Sequence, residues 1–223
     1  MTSPIWILIF ALIGLSQTPE EIASRTEAKF RSIQSIQSTF EQIYYSSSVS
    51  TPLREKGKFY FQTPDLMKWE YLDPEKKIFI YKDRILWSYI PEDEQIIKNY
   101  VSEEEENTEI LFLLSGQIGI RDNYSLEFSP FPTENRNALQ LKLTPKKEDI
   151  YSFILLEISG KSWLIQKAIF FDWAGNKTEF QFKQIKTNIN LSQDLFELDA
   201  PPGVEIIENE IPQNLFLSFS YKR

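Results

Sequence analysis

The feature that most constrains this chain is a dense block of aromatic residues between Gly57 and Pro91. Many of these rings stand two residues apart, and side chains two apart on a pleated strand share one face of a sheet. The residues between them are often polar or charged, which is typical of antiparallel strands with one solvated face. The block predicts a sheet with a large apolar face, with three pairs that each share a face: Phe59 with Phe61, Trp69 with Tyr71, and Trp87 with Tyr89.

Composition limits the kind of partner that the chain can have. It contains 223 residues and carries a formal net charge of −8 at pH 7, and a single domain is the default for an all-β chain of this length. Nucleic acids and anionic lipid head groups are bound by clustered Lys and Arg. An acidic chain therefore predicts no nucleic-acid partner and favours an apolar or a cationic ligand.

The first residues predict export from the cytoplasm. The uncharged run from Ile5 to Leu15 has the length of a signal-peptide core and is too short to span a bilayer. Gly14, Leu15 and Ser16 form a small-x-small pattern, so we expect residues 1–16 to be a signal peptide and residues 17–223 to be one domain. No Lys or Arg precedes Ile5, which leaves an uncleaved anchor or a buried N-terminal element as alternatives.

Periodicity and turn residues predict a mainly β chain with two helices. One amphipathic helix is expected from Pro19 to Gln42, with a loop after it at residues 46–52. A second helix, apolar nearly all round, is expected at Ile110–Leu114 as a plug or lid. Strands are predicted at about residues 55–62, 68–72, 77–82, 85–90, 95–101, 123–128, 138–144, 152–159, 165–172, 178–186 and 196–198.

The chain is poorly supplied with catalytic groups. It has no His and no Cys, which removes the usual general base, the thiolate nucleophile and the common transition-metal ligands. A Ser-Lys or carboxylate-pair enzyme stays possible in principle, but the visible acidic residues lie in charge runs such as Glu103–Glu106, which are typical of solvated surfaces. We therefore expect a binding protein without cofactor or metal and not an enzyme.

The aromatic face allows two interpretations. Aromatic residues at alternate positions usually form an ordinary packed core. The alternative is an apolar cavity, because the chain holds 17 Phe, 10 Tyr and 5 Trp, and many rigid rings fill a common space imperfectly. The pattern alone does not decide between them.

The order and spacing of residues along most of the chain resemble one known family. The residues that carry the resemblance are Phe40, Gln42, Gly57, Pro64, Trp69, Tyr71, Pro74, Asp83, Trp87, Tyr89, Pro91, Asn107-Thr108, Leu143-Thr144-Pro145-Lys146, Phe196 and Pro201-Pro202-Gly203-Val204. In this order, behind a secretion signal, they are similar to the LolA family of periplasmic outer-membrane lipoprotein carriers.

The resemblance implies a half-open antiparallel β-barrel of about eleven strands, closed by a helical lid over an apolar cavity. It implies a monomeric carrier in the periplasm that takes lipoproteins from an inner-membrane ABC transporter and hands them to an outer-membrane acceptor. Acyl chains need such shielding, because each methylene group exposed to water costs ~0.8 kcal/mol.

Carried over residue by residue, the resemblance implies an acyl-binding cavity, and the chain departs from the family in three places. Where the best-known members have an Arg that ties the lid shut, this chain has Thr63, so lid closure must be held differently. The turn usually written Asp-Gly is Asp83-Arg84 here. After Val204 the chain continues with an alternating pattern from Leu215 to Tyr221, which predicts an added strand at the C-terminus. The residues expected to line the cavity are Phe59, Phe61, Met67, Trp69, Tyr71, Trp87, Tyr89, Leu111 and Leu114.

Two functional hypotheses follow. The first is a periplasmic carrier of lipoproteins. The second is a binding or sensing module on the same fold, whose ligand is another amphiphile such as a glycolipid or a lipid-stress signal. Sequence favours the first, since no second domain is apparent from composition.

Overall fold

The computed structural model describes residues 17–101, 119–133, 135–199 and 202–209. Within these ranges the chain is mainly β, as predicted. The helices are α1 (Pro19–Arg31) and α2 (Ile120–Asn123), with two 3-10 helices at Pro91–Asp93 and Gln193–Phe196. The strands are β1 (Ser35–Tyr45), β2 (Leu53–Gln62), β3 (Leu66–Asp73), β4 (Lys77–Lys82), β5 (Ile85–Ile90), β6 (Gln95–Tyr100), β7 (Tyr124–Phe128), β8 (Ala138–Pro145), β9 (Tyr151–Ser159), β10 (Ile165–Asp172), β11 (Lys177–Thr187) and β12 (Glu205–Asn209).

The strands form one open sheet. Its order is β12-β6-β5-β4-β3-β2-β1-β11-β10-β9-β8-β7, so the first and last strands of this order, β12 and β7, are not paired with each other. Neighbours are antiparallel except for β12, which runs parallel to β6. The expectation of a half-open β structure is confirmed, with twelve strands among the described residues in place of about eleven. The predicted lid helix at Ile110–Leu114 lies outside the described residues.

Helix α1 begins where the sequence predicts but ends earlier. The Thr18 side chain accepts a hydrogen bond from the Glu21 backbone N–H at 3.2 Å, and the Glu21 carboxylate accepts one from the Thr18 N–H, so the two residues form a capping box. The helix ends at Arg31, and β1 starts at Ser35. The prediction of a helix to Gln42 is therefore wrong, because pairing with β2 and β11 on either side overrides the helical spacing.

Most of the buried apolar side chains lie on one face of the sheet, which we call the core face. Phe40, Trp69, Leu156 and Phe180 belong to it, and Phe30 of α1 joins the same cluster. Glu27 holds α1 against α2, since its carboxylate accepts hydrogen bonds from the Arg121 backbone N–H at 3.0 Å and from Arg121 Nε at 2.8 Å. None of the helices in the described ranges is both long enough and apolar enough to cross a bilayer.

The opposite face is partly covered by the segment that follows β11. The 3-10 helix Gln193–Phe196 contacts β3 and β4, and Phe196 is fully buried there. Lys82 of β4 forms an ion pair with Glu197 beside it. The strand predicted at residues 196–198 is therefore wrong, and the strand at Glu205–Asn209 was not predicted. The alternating pattern from Leu215 to Tyr221 lies outside the described residues.

Candidate functional site

The register of β2, β3 and β4 sets the centre of the core face. Phe59 lies opposite Trp69, Phe61 lies opposite Met67, and Trp69 lies opposite Phe79 in the next strand. Residues directly opposite each other in an antiparallel pair point to the same face. Phe59, Phe61, Met67, Trp69 and Tyr71 are all buried on the core face, so the structure brings together these five of the expected site residues.

The rings of the core face pack on one another at contact distance. The Phe40 ring centroid lies 4.9 Å from that of Trp69 and 4.9 Å from that of Tyr71, both edge to face. Phe59 lies 4.5 Å from Trp69, and Phe180 of β11 lies 5.6 Å from Trp69. Such pairs contribute about 0.5–1.5 kcal/mol beyond their burial. These rings therefore fill the space between them.

Gly57 allows this packing. A β-carbon at this position would lie 2.2 Å from the backbone oxygen of Glu70 and 2.8 Å from two atoms of the Phe40 ring. Both neighbours are fixed, because one belongs to the backbone of β3 and the other to a fully buried ring. Gly57 thus leaves the space above β2 that the Phe40 ring occupies.

Tyr71 carries a hydroxyl group into the apolar cluster. The hydroxyl donates a hydrogen bond to Gln42 Oε1 at 2.5 Å, and both residues are buried. Burial raises the pKa of the Tyr71 phenol well above its usual value, and the nearby Glu55 carboxylate raises it further. The phenol therefore remains neutral and anchors the edge of the aromatic cluster.

The core face becomes polar towards one end of its strands. Glu55 lies two residues from Gly57, Lys77 two residues from Phe79, and Ser88 two residues from Leu86. Beyond these positions a cavity of about 930 Å³ opens between β1–β6, the loop at residues 46–52 and the turn between β10 and β11. Its wall also includes the apolar side chains of Tyr44, Leu53, Ile90 and Ile97.

A buried ion pair lies in the wall of this cavity. Lys77 Nζ is 2.6 Å from Glu55 Oε1, and both side chains are less than one tenth exposed. A second carboxylate oxygen, that of Glu75, lies 3.9 Å from the same Lys77 nitrogen. Buried charges are tolerated when they are paired in this way. The Ser88 hydroxyl, which is also buried in this wall, has no hydrogen-bond partner among the residues that the structure describes.

Trp87 and Tyr89 do not join the core face. Trp87 lies opposite Ile80 and Tyr89 lies opposite Ile78, whereas Phe79 is the residue that shares the face of Trp69. The expectation that Trp87 and Tyr89 face the same interior as Trp69 is therefore wrong. The turn between the two strands has two residues, Asp83 and Arg84, with φ of 54° and 60°. Across a turn of this length Tyr81 lies opposite Leu86. The residues that face the core are therefore odd-numbered on β4 and even-numbered on β5.

Leu111, Leu114 and Thr63 are not among the described residues of the core face. Leu111 and Leu114 lie outside the described residues. Thr63 is exposed, and its backbone N–H and hydroxyl donate hydrogen bonds to the Gln34 carbonyl at 2.9 and 3.3 Å. Thr63 therefore ties the end of β2 to the link between α1 and β1.

The other half of the core face was not among the residues expected from the sequence. Strands β8–β11 contribute buried residues to the same cluster, and β1 contributes Phe40. These residues alternate with more exposed ones along their strands, which is the signal that could have identified them. They are Leu141, Leu143, Ile154, Leu156, Ala168, Phe170, Phe180 and Phe182.

The described part of the chain contains no group of three or more Asp or Glu residues placed to hold a metal ion. The chemistry of the face is therefore apolar contact over a wide area, with a polar cavity at one end.

Comparison with known proteins identifies relatives over most of the chain. The model of the LolA family, described as outer membrane lipoprotein carrier protein LolA, matches residues 31–199. An outer-membrane lipoprotein carrier protein of Methylococcus capsulatus is 26% identical over 196 residues, which cover 87% of this chain and 91% of that protein. One from Pseudomonas aeruginosa is 27% identical over 176 residues, which cover 78% of this chain and 82% of the relative.

Solved structures share the fold at low sequence identity. An uncharacterised conserved protein from Thermus thermophilus superimposes with a TM-score of 0.56 at 15% identity, over 85% of this chain and 98% of the other. At this identity the likeness concerns the arrangement of the strands alone.

Proposed function

Because this chain belongs to the LolA family of outer membrane lipoprotein carrier proteins, we propose that it binds lipoproteins by their acyl chains and shields those chains from water. The observation that carries the proposal is the apolar core face of an unclosed sheet, which runs from Leu86 on β5 to Leu126 on β7. Removing acyl chains from water is favourable in proportion to the apolar area that is covered. A broad apolar face supplies that area.

The acyl chains would contact the centre of the core face. We assign this role to Phe59, Phe61, Met67, Trp69 and Tyr71, which lie together there. Since these residues are packed against their neighbours, ligand binding requires part of the cluster to rearrange. Leu111 and Leu114 are proposed as ligand contacts of a lid, and Thr63 as a position that affects closure.

The path of the ligand completes the proposal. The chain would be exported with residues 1–16 as a signal peptide, and residues 17–223 would act as a single monomeric domain in the periplasm. It would receive lipoproteins from an inner-membrane ABC transporter and deliver them to an outer-membrane acceptor. Sequencing the N-terminus of periplasmic protein should give Gln17 as the first residue, and an intact Met1 in the membrane fraction would contradict export with cleavage.

Mass spectrometry of the protein purified from its native periplasm tests the ligand class. We expect acylated polypeptides to co-purify at a stoichiometric level. Recovery of glycolipid in their place would contradict the lipoprotein proposal and favour a carrier of another amphiphile. The same preparation from cells in which lipoprotein acylation is blocked provides the control, and no acylated polypeptide should co-purify from it.

A pair of adjacent substitutions tests the face that is used. Leu126 packs against the core cluster at the edge strand β7, while its neighbour Ser125 is exposed. Leu126→Glu places a charge at the rim of the apolar face, where it can remain hydrated, and should reduce ligand loading. Ser125→Glu adds the same charge on the other face and should not. Circular dichroism establishes that both variants are folded, and equal loading of the two would contradict the assignment.

A further inference from the structure

The core face has an amphipathic gradient along the direction of its strands. On β2 the inward residues change from Phe59 through Gly57 to Glu55, and on β4 from Phe79 to Lys77. These polar positions occur at the same end, where the 930 Å³ cavity opens, while buried Ser38 and Asn99 lie farther along the same face, opposite Phe59 and Leu86. An amphiphile whose apolar part lies on the aromatic cluster would therefore place its polar part in this cavity.

The charges in the cavity wall favour one sign of ligand. Among the described residues of the wall, four carboxylates, those of Glu55, Glu75, Glu92 and Asp93, accompany one ammonium group, that of Lys77. Lys77 is already paired with Glu55 at 2.6 Å. Glu92 and Asp93 form no ion pair with any residue in the described ranges. A cavity whose walls carry an excess of one charge concentrates its field and attracts the opposite charge.

A second, independent feature points to a bound group. The Ser88 hydroxyl lies in the cavity wall, the residue is 1% exposed, and no residue in the described ranges forms a hydrogen bond with the hydroxyl. Buried hydroxyl groups normally have a partner, because an unsatisfied one costs free energy. A ligand that donates a hydrogen bond would satisfy the Ser88 oxygen.

We propose that this cavity is a binding site for the ammonium or guanidinium group of a cationic amphiphile, whose apolar part lies on the adjoining core face. The inference rests on the proposed function in taking the ligand to be an amphiphile. If the ligand is a lipoprotein, the cation is a Lys or Arg side chain near its acylated end. Ser88 accepts a hydrogen bond from the cation, while Glu92 and Asp93 supply the surplus negative charge.

Three fluorescent probes of matched size test the proposal. They share a dansyl group and a five-carbon chain, and they end in an ammonium, a methyl or a carboxylate group. We expect the ammonium probe to bind about fivefold more tightly than the methyl probe, and the carboxylate probe more weakly than either. Raising the salt concentration should reduce the advantage of the ammonium probe.

Matched variants locate the preference. The double variant Glu92→Gln and Asp93→Asn removes two exposed charges at the cavity and should bring the ammonium and methyl probes to equal affinity. The control variant Glu127→Gln and Glu148→Gln removes two exposed charges that are not in the cavity wall and should keep the preference.

The outcomes separate this inference from the proposed function. Equal affinities of the ammonium and methyl probes for the unaltered protein would overturn the cation site and leave the apolar carrier standing. A preference that survives in the Glu92 and Asp93 double variant would overturn the assignment to this cavity. Binding of the ammonium probe without binding of the methyl probe would support the cation site and contradict the apolar carrier. Failure of all three probes to bind would overturn both proposals.

Discussion

Two buried serine residues differ in the state of their hydroxyl groups. Ser35 donates a hydrogen bond to the Ile189 carbonyl at 2.6 Å, whereas Ser88 has no hydrogen-bond partner within the described part of the chain. A hydrogen bond contributes about 0.5–1.5 kcal/mol net, while an unsatisfied buried hydroxyl is unfavourable. We expect Ser35→Ala to lower the free energy of unfolding by about 1 kcal/mol and Ser88→Ala to leave it unchanged or raise it. Urea unfolding measures both, and an equal loss in the two variants would show that Ser88 is satisfied.

Tyr71 gives the stability a dependence on alkaline pH. Its pKa in the folded protein is raised well above 10.0 by burial and by Glu55, while in the unfolded chain it ionises near pH 10. The stability that the buried neutral phenol contributes is therefore fully present below pH 10 and is lost as pH rises towards the folded pKa. Tyr71→Phe should be about 1 kcal/mol less stable at pH 7, because the hydrogen bond to Gln42 is lost.

The test compares how stability falls at high pH. Above pH 10 the free energy of unfolding of Tyr71→Phe should fall less steeply than that of the unaltered protein, since one phenol with a raised pKa has been removed. Buried Tyr124, whose pKa is also raised, leaves part of the slope in place. Identical slopes in Tyr71→Phe and the unaltered protein would contradict the role of Tyr71.

At the scale of elements, the packing of β1, β2 and β3 depends on Gly57. A β-carbon there would approach the Glu70 carbonyl oxygen and the Phe40 ring too closely. Overpacking of this kind costs typically 1–3 kcal/mol, so we expect Gly57→Ala to lower the free energy of unfolding by about 3 kcal/mol. At Gly160 an added β-carbon would lie 3.1 Å from its nearest neighbour, and Gly160→Ala should cost clearly less. A smaller loss at Gly57 than at Gly160 in urea unfolding would contradict this.

Local patterns predicted most strands, but they did not fix which face each strand presents. The alternation of Trp87 and Tyr89 shows that the two share a face and does not relate that face to Trp69. Whether they share the face of Trp69 depends on the length of the turn at Asp83 and Arg84. Across this turn the residues that face the core change from odd-numbered to even-numbered positions. Turn length is readable from the sequence, so this part of the site could have been assigned correctly.

The boundary between α1 and β1, in contrast, could not have been predicted from the local sequence. Ile22, Phe30, Ile33 and Phe40 fit one helical face, yet the chain changes to a strand at Ser35. The cause is the pairing of β1 with β11, in which Phe40 lies opposite Phe182. Such a contact joins residues far apart in sequence, and no local pattern contains it.

At the scale of the whole molecule, the sheet is an apolar surface with a polar end. A mainly β chain was predictable from the spacing of strands and turns, whereas the open architecture was implied by the resemblance to the LolA family. The parallel pairing of β12 with β6, and the position of β1 between β2 and β11, depend on long-range contacts. These contacts place Phe40, Trp69 and Phe180 together, which a list of predicted strands does not do.

The apolar core face predicts how ligand affinity responds to salt. Ions screen exposed charges but have little effect on the transfer of a short acyl chain from water. We expect an uncharged acyl probe to bind with an affinity that changes less than about twofold between 0.05 and 0.5 M NaCl. Fluorescence titration measures it, and a steep fall in affinity with salt would place the uncharged probe at a charged site.

The central claim is that acyl chains lie on the core face, and two tryptophan residues on opposite faces test it directly. Trp69 lies on the core face and Trp87 on the other face. Variants of residues 17–223 that retain only one of the four Trp residues in that range, with Phe at the others, are titrated with a neutral amide of a chain-brominated fatty acid, since bromine quenches indole fluorescence on near contact. We expect strong quenching of Trp69 and none of Trp87. Equal quenching of both, or quenching of Trp87 alone, would contradict the account.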